Sequence, residues 1–127
     1  MEDIEATIEQ VRRADPDVFL NTVSYPIKGT HYFDAVALRV VSPKAWAGSS
    51  DRDFQIRGRH SRRFYHFADQ LLRSEVELGR LVRYDQHSAG NGKDPLPISD
   101  SPDVADLRRR ITEARHGLQA SYAEAEA

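Results

Sequence analysis

Four arginines and a histidine fall within the run Arg57 to Arg63 (RGRHSRR), directly before the aromatic pair Phe64 and Tyr65. At a helix start, where unpaired N–H groups and the helix dipole favour negative charge, such a cluster could bind a phosphate or a nucleic-acid backbone. The same side chains could instead pair with acids of neighbouring elements while their stems cover apolar surface. One basic patch on an acidic chain favours this structural role, and nucleic acid is not the expected partner. A second polar stretch, Ser24 to Thr30 (SYPIKGT), follows β-type sequence. Strand ends in parallel α/β folds face the ligand crevice, so this stretch either lines such an edge or merely stops the strand.

Other reactive residue types carry less. His31, His60, His66, His87 and His116 include no i,i+4 pair and no HExxH, which points to surface or capping roles. Ser24, Thr30 and Ser61 lack a GxSxG elbow, and spacing assigns them no acid–base partner. The carboxylate pairs Glu5 with Glu9 and Asp103 with Asp106 fall near helix starts, where the dipole accounts for them as solvated faces. With no cysteine, the chain offers no disulfide, thiolate nucleophile, cysteine-ligated zinc or iron–sulfur ligand. No catalytic residue and no metal ligand is therefore assigned.

These residues must be positioned by a chain of 127 residues, enough for one domain with one modest core. Eighteen basic and twenty acidic residues give a net charge of -2, so no global field draws it to nucleic acid or acidic lipid. No apolar run approaches the roughly eighteen residues of a membrane span. The N-terminal MEDIEATIEQ has neither secretory nor transit-peptide character, and a cytoplasmic location is expected.

Ile4, Ile8 and Val11, with acids first and arginines last, predict an amphipathic helix over 2–14, closed by Asp15-Pro16-Asp17. Val18 to Ser24 (VFLNTVS) reads as a strand covered on both faces. Thr30 is an N-cap candidate for a helix over 31–41 with the stripe Phe33, Val36, Ala37 and Val40. Residues 42–53, around Trp46, read as an irregular connection, and 54–57 carries only a weak signal for a short extended segment. The longest helical pattern covers 62–84, with Phe64, Phe67, Leu71, Glu75, Leu78 and Val82 near heptad spacing. Gly, Pro, Asn and Ser then mark a flexible linker over 85–100. Ser101-Pro102-Asp103 opens a last helix with the seam Val104, Leu107, Ile111, Ala114 and Leu118, whose SYAEAEA end is expected to fray. The expected division is a helix–strand–helix unit over 1–41, a connection and long helix over 42–84, the linker over 85–100, and a terminal helix over 101–127.

Asp17 to Asp34 (DVFLNTVSYPIKGTHYFD) and Asp51 to Arg80 (DRDFQIRGRHSRRFYHFADQLLRSEVELGR) resemble the C-terminal part of radical SAM proteins with an N-terminal cobalamin-binding domain. This group includes the anaerobic magnesium-protoporphyrin ester cyclases. In that family a helix similar to DIEATIEQVRRADPD leads into the sixth strand of a partial (β/α) barrel. A YPIKGT-like segment ends that strand, and an RDF…GRxSRRFYxFA-like block opens a long C-terminal helix. The resemblance spans Glu2 to Arg83. It implies that the sixth strand lies beside the adenine of SAM, which carries Thr22, Val23, Ser24, Tyr25 and Pro26 over as an adenine-facing wall.

The family's CxxxCxxC loop for the 4Fe-4S cluster, its glycine-rich SAM elements and its cobalamin domain are not in this sequence. The resemblance therefore implies a truncated or split protein that holds no cofactor alone and is inactive alone. SAM, the 4Fe-4S cluster and cobalamin would belong to the complete enzyme. The expected fold class is α/β, a helix–strand–helix remnant of a partial (β/α) barrel with a mostly helical C-terminal extension. Such a remnant must be completed by its own helices, by self-association, or by the missing N-terminal barrel and cobalamin domain, in cis or as a separate chain. The rival expectation is an autonomous helical interaction module that binds a partner protein or, through Arg57 to Arg63, nucleic acid.

Overall fold

In the computed structural model of the chain, residues 1–16, 18–41, 50–88 and 101–125 are described, without the side chains of Arg52 and residues 85–88. Helix α1 spans Glu2–Ala14, with Glu2, Asp3 and Glu5 in its first turn and Arg12 and Arg13 in its last. It ends as its sequence predicts: Asp15 turns into the left-handed region (φ 43°) and its N–H donates to Val11 O at 3.0 Å. Pro16 cannot continue the helix.

The strand expected over 18–24 does not form. Residues 18–27 carry no regular secondary structure, and among the described residues the backbone of 18–23 makes no hydrogen bond. β-type composition favours a pleated surface only where a neighbouring strand supplies the ladder, and among the described residues none pairs with it. Half-buried Phe19 packs on the core and Pro26 is fully buried, while Val18 and Leu20 are 76% and 88% exposed. Arginines tie down both ends of the stretch. Arg80 donates to Pro16 O, Arg83 pairs with Asp15, and Arg59 donates to Ser24 O.

Helix α2 spans His31–Val36, far short of the expected 31–41. Thr30 caps it, accepting from Phe33 N–H at 3.2 Å, and its hydroxyl donates to Ile27 O at 2.7 Å. One 3-10 turn, Ala37–Arg39, then leads into strand β1, Val40–Val41. The two β-branched valines pair antiparallel with strand β2, Gln55–Ile56, placing Val40 opposite Ile56. An extended segment thus does form within 54–57, where the sequence signal was weak, and its pairing takes Val40 away from the helix. Val36, Phe54 and Ile56 are buried, and the rings of Phe33 and Phe54 lie 6.0 Å apart. Gly58, at φ +79°, turns the chain out of β2.

Helix α3 runs from Arg62 to Ser88. Its last four residues were expected in the flexible linker, but Asp85, Gln86 and His87 are not helix breakers and the first glycine beyond is Gly90. Residues 42–49, with Trp46, and the remainder of the expected linker, 89–100, lie outside the described residues. Helix α4 spans Pro102–Ser121, with proline in the first turn and the Ser101 hydroxyl accepting from Asp103 N–H at 3.2 Å. Its seam residues Val104, Leu107, Ala114 and Leu118 are buried. Helices α3 and α4 pack along each other and α1 lies on α3, so Ile8, Phe64, Leu71, Leu72, Ala114 and Leu118 form one core cluster.

The residues after α4 do not all fray. Glu124 O accepts from Ser61 N–H at 3.1 Å and Ala125 forms an antiparallel bridge with His60, so residues 121–125 dock on the start of α3. The chain is a mostly helical protein of mixed α and β class, with four α-helices and one two-stranded antiparallel sheet among the described residues. The parallel strands of a barrel are not among them. No described helix is long and apolar enough to cross a membrane.

Candidate functional site

An open groove of about 1050 Å³ lies between α1, α3 and the segment that follows α1. Helix α1 contributes Asp3, Ile4 and Thr7, and one face of α3 contributes Tyr65, Ala68, Asp69, Leu72 and Arg73. Asn21 to Tyr25, Ile27, Thr30, Tyr32 and Arg59 complete the lining. Four of the five residues carried over from the resemblance, Thr22, Val23, Ser24 and Tyr25, are therefore together in this wall. Pro26 is not: fully buried, it anchors the end of the segment and does not face the groove.

Arg59 holds the wall to the helices. Its guanidinium donates to Ser24 O, lies 3.4 Å from the Tyr32 hydroxyl, and stacks 5.4 Å from the centroid of the Tyr65 ring. One residue of the arginine run thus links a loop 35 positions earlier to the first turn of α3. Further along the groove Arg73 donates to Asp69 at 2.7 Å, and that hydrogen bond, with the Asp69 charge, holds the Arg73 guanidinium above its ordinary value. Thr7 donates its hydroxyl to the backbone oxygen of Asp3 at 2.7 Å.

His60, Ser61 and Arg63 build the start of α3, and Arg57 joins the sheet. Ser61 caps the helix by accepting from Phe64 N–H at 3.2 Å, and its hydroxyl donates to Glu124 at 3.0 Å. Arg63 pairs with Glu124 at 3.2 Å and lies over the Phe67 ring. His60 stacks on Phe64 with centroids 4.1 Å apart and meets the Tyr122 ring at 5.1 Å. Arg57 donates its backbone N–H to Arg39 O at 2.8 Å, extending the β1–β2 pairing. The acid that meets Arg63 comes from the far end of the described chain rather than from a sequence neighbour.

A second charged cluster escaped sequence reasoning. Glu75 is only 5% exposed, and its carboxylate accepts from Arg12 of α1 and, at 3.1 Å, from Arg115 of α4. Arg115 also donates to Glu5, whose hydrogen bond is the largest influence raising the Arg115 guanidinium above its ordinary value, with Glu75 adding to it. Glu5, expected on a solvated face, therefore reaches across to α4. The signal was present: Glu75 occupies an apolar seam position, where a charge survives only with partners.

The groove offers aromatic rings, hydroxyls and two carboxylates, with an apolar floor from Ile4, Ala68 and Leu72. Such a surface can bind and orient a small molecule. Among the described residues no group of His, Asp and Glu could hold a metal ion. No family model, curated protein or solved structure matches the chain.

Proposed function

We propose that this chain is the C-terminal part of a cobalamin-dependent radical SAM enzyme. It shapes the SAM and substrate cavity, while the remaining barrel and the cobalamin domain, in cis or as a separate chain, bring the other cofactor sites. One observation supports the reading above all. A β-type segment, residues 18–24, lies beside the groove with Val18 and Leu20 exposed and, among the described residues, no strand paired with it. A barrel strand alongside would cover those side chains and satisfy that backbone.

The residues fit one of the implied groups and not another. Without cysteine this chain has no ligand for the 4Fe-4S cluster. The groove wall does suit the adenine of SAM, which in the complete enzyme supplies the group that is reductively cleaved. Val23 and Tyr25 give a flat ring apolar and aromatic surface, and Thr22 and Ser24 provide hydroxyls for its polar edge. Arg59 keeps that wall in place through Ser24 O. The alternative, nucleic-acid binding through Arg57 to Arg63, has less support because Arg59 and Arg63 already hold protein partners.

The test is to read the DNA upstream of the Met1 codon and produce this chain together with any CxxxCxxC barrel encoded there. The expected outcome is a complex that binds SAM, weakened about tenfold by Tyr25→Ala, a loss of roughly 1.4 kcal/mol. The chain alone should show no cluster absorbance and no SAM cleavage after anaerobic reconstitution. A cluster on the isolated chain, or a stable monomer with no such reading frame upstream, would overturn the proposal.

A further inference from the structure

We infer that residues 122–125 act as a strap that fixes the groove wall: docked beside Arg59, they keep its guanidinium on Ser24 O, and their release frees the wall. The wall depends on a single polar contact. Over residues 18–24 the hydrogen bond from Arg59 to Ser24 O is the only one among the described residues. Phe19 packs on the core and Pro26 is fully buried, so the stretch between them is anchored at both ends and pinned by that guanidinium.

The strap holds the backbone next to Arg59. On the β2 side, Arg59 donates its N–H to Ile56 O at 3.2 Å. On the α3 side, both of the next two residues rest on the strap. Ala125 forms a bridge with His60, and the Tyr122 ring lies 5.1 Å from the His60 ring. Ser61 donates its N–H to Glu124 O at 3.1 Å and its hydroxyl to the Glu124 carboxylate at 3.0 Å. A shift of this backbone swings the Arg59 side chain, whose far end must meet Ser24. The strap itself is poised to let go. Helix α4 stays anchored through the wholly buried Ser121, whose hydroxyl donates to Gly117 O at 2.6 Å. Beyond it, Tyr122 is half exposed and the Glu124 carboxylate, with its Arg63 partner, is open to water. Contacts this exposed contribute little each, so the strap can open locally while the core stays folded. Ser61 still caps α3 through Phe64 N–H when the strap leaves. This role rests on the groove being a site, not on SAM or a partner chain, so its failure is separable from that of the enzyme reading.

The absence of cysteine allows a direct test on the full chain. Spin labels on Asn21→Cys, in the wall, and Glu77→Cys, exposed on α3, report the distance between wall and helix. Tyr122→Ala combined with Glu124→Ala removes the ring contact and the carboxylate. The Ser61 amide should then lose protection from hydrogen exchange, and the distance distribution should widen at least about twofold. Arg59→Ala should widen it equally with the Ser61 amide still protected, and joining all three changes should add nothing more. Leu107→Ala, in the buried seam toward the opposite end of α4, lowers stability without touching the strap and should leave the distribution narrow. A Ser61 amide still protected after the strap changes, an unchanged distribution, effects that add to that of Arg59→Ala, or equal widening by Leu107→Ala would overturn the inference.

Discussion

Gly117 allows α4 to lie against α3. A Cβ built on it would fall 2.5 Å from Cδ1, Cε1 and Cζ of Phe67. Carbon atoms in contact prefer about 3.5–4.0 Å, so Gly117→Ala forces the ring back by about 1 Å or separates the helices. The ring is half-buried beneath Arg63, and overpacking of this kind costs about 1–3 kcal/mol. Against that, alanine in a helix is about 1 kcal/mol better than glycine. The net expectation is a loss of about 1 kcal/mol, which lowers the melting temperature by roughly 3–6 °C in a domain of this size. Gly79→Ala is the matched control. Its Cβ meets only the flexible tip of Arg83, at 3.4 Å, so there the helix propensity should dominate and stability should rise by up to about 1 kcal/mol. Urea unfolding followed by circular dichroism measures both variants, and Phe67→Leu combined with Gly117→Ala should recover most of the loss. If Gly117→Ala stabilises as much as Gly79→Ala, the close approach of α3 and α4 at Phe67 is wrong.

Two further outcomes follow from the charged clusters. Glu75→Ala removes the shared acceptor of Arg12 and Arg115, but those side chains are 47% and 40% exposed and water can take its place, so the expected cost in urea unfolding is about 1–3 kcal/mol, below that of a fully buried pair. The Arg109 hydrogen bond, followed by the charges of Arg110 and Arg109, holds the Asp106 carboxyl below the usual carboxylate range. A depressed folded-state pKa contributes stability above the unfolded value of about 4, and that contribution is lost as pH falls through the lower folded value. Melting curves of wild type and Asp106→Asn should therefore differ at neutral pH and converge in acid. A difference that grows on acidification would contradict the pairing.

The starts of α2 and α4 and the end of α1 were legible because their signals are local. Thr30 and Ser101 cap where their residue types predict, and Asp15-Pro16 stops α1 within a residue of the expected place. Features that depend on partners far along the chain were not. VFLNTVS has the composition of a strand, but a ladder requires a second strand that composition cannot supply, and Val40 left its expected helix because Ile56 offered one. SYAEAEA reads as a fraying tail, yet the backbone of Glu124 finds Ser61, a contact no local pattern encodes. At the groove, Thr22 to Tyr25 were picked out through resemblance, whereas Asp3, Tyr65 and Asp69 looked like ordinary positions on helix faces. Arg59 was noticed for its charge, but its attachment to Ser24 depends on the turn at Gly58 and the path of the whole intervening segment.

The docking of residues 121–125 on Ser61 also dictates the order in which this protein can be finished during synthesis. Ser61 begins to cap α3 as soon as Phe64 is made, but the backbone acceptor for its own N–H and the carboxylate for Arg63 both arrive with Glu124. Leu118, which completes the core around Ile8, arrives only slightly earlier. A nascent chain stalled before that point lacks the α4 residues that complete the core, leaving the apolar faces of α1 and α3 uncovered and open to chaperones or aggregation. An affinity tag or fusion partner appended after residue 125 would emerge beside the first turn of α3, next to Arg63 and the Tyr122 ring, whereas one placed before Met1 would extend from the solvent-exposed start of α1.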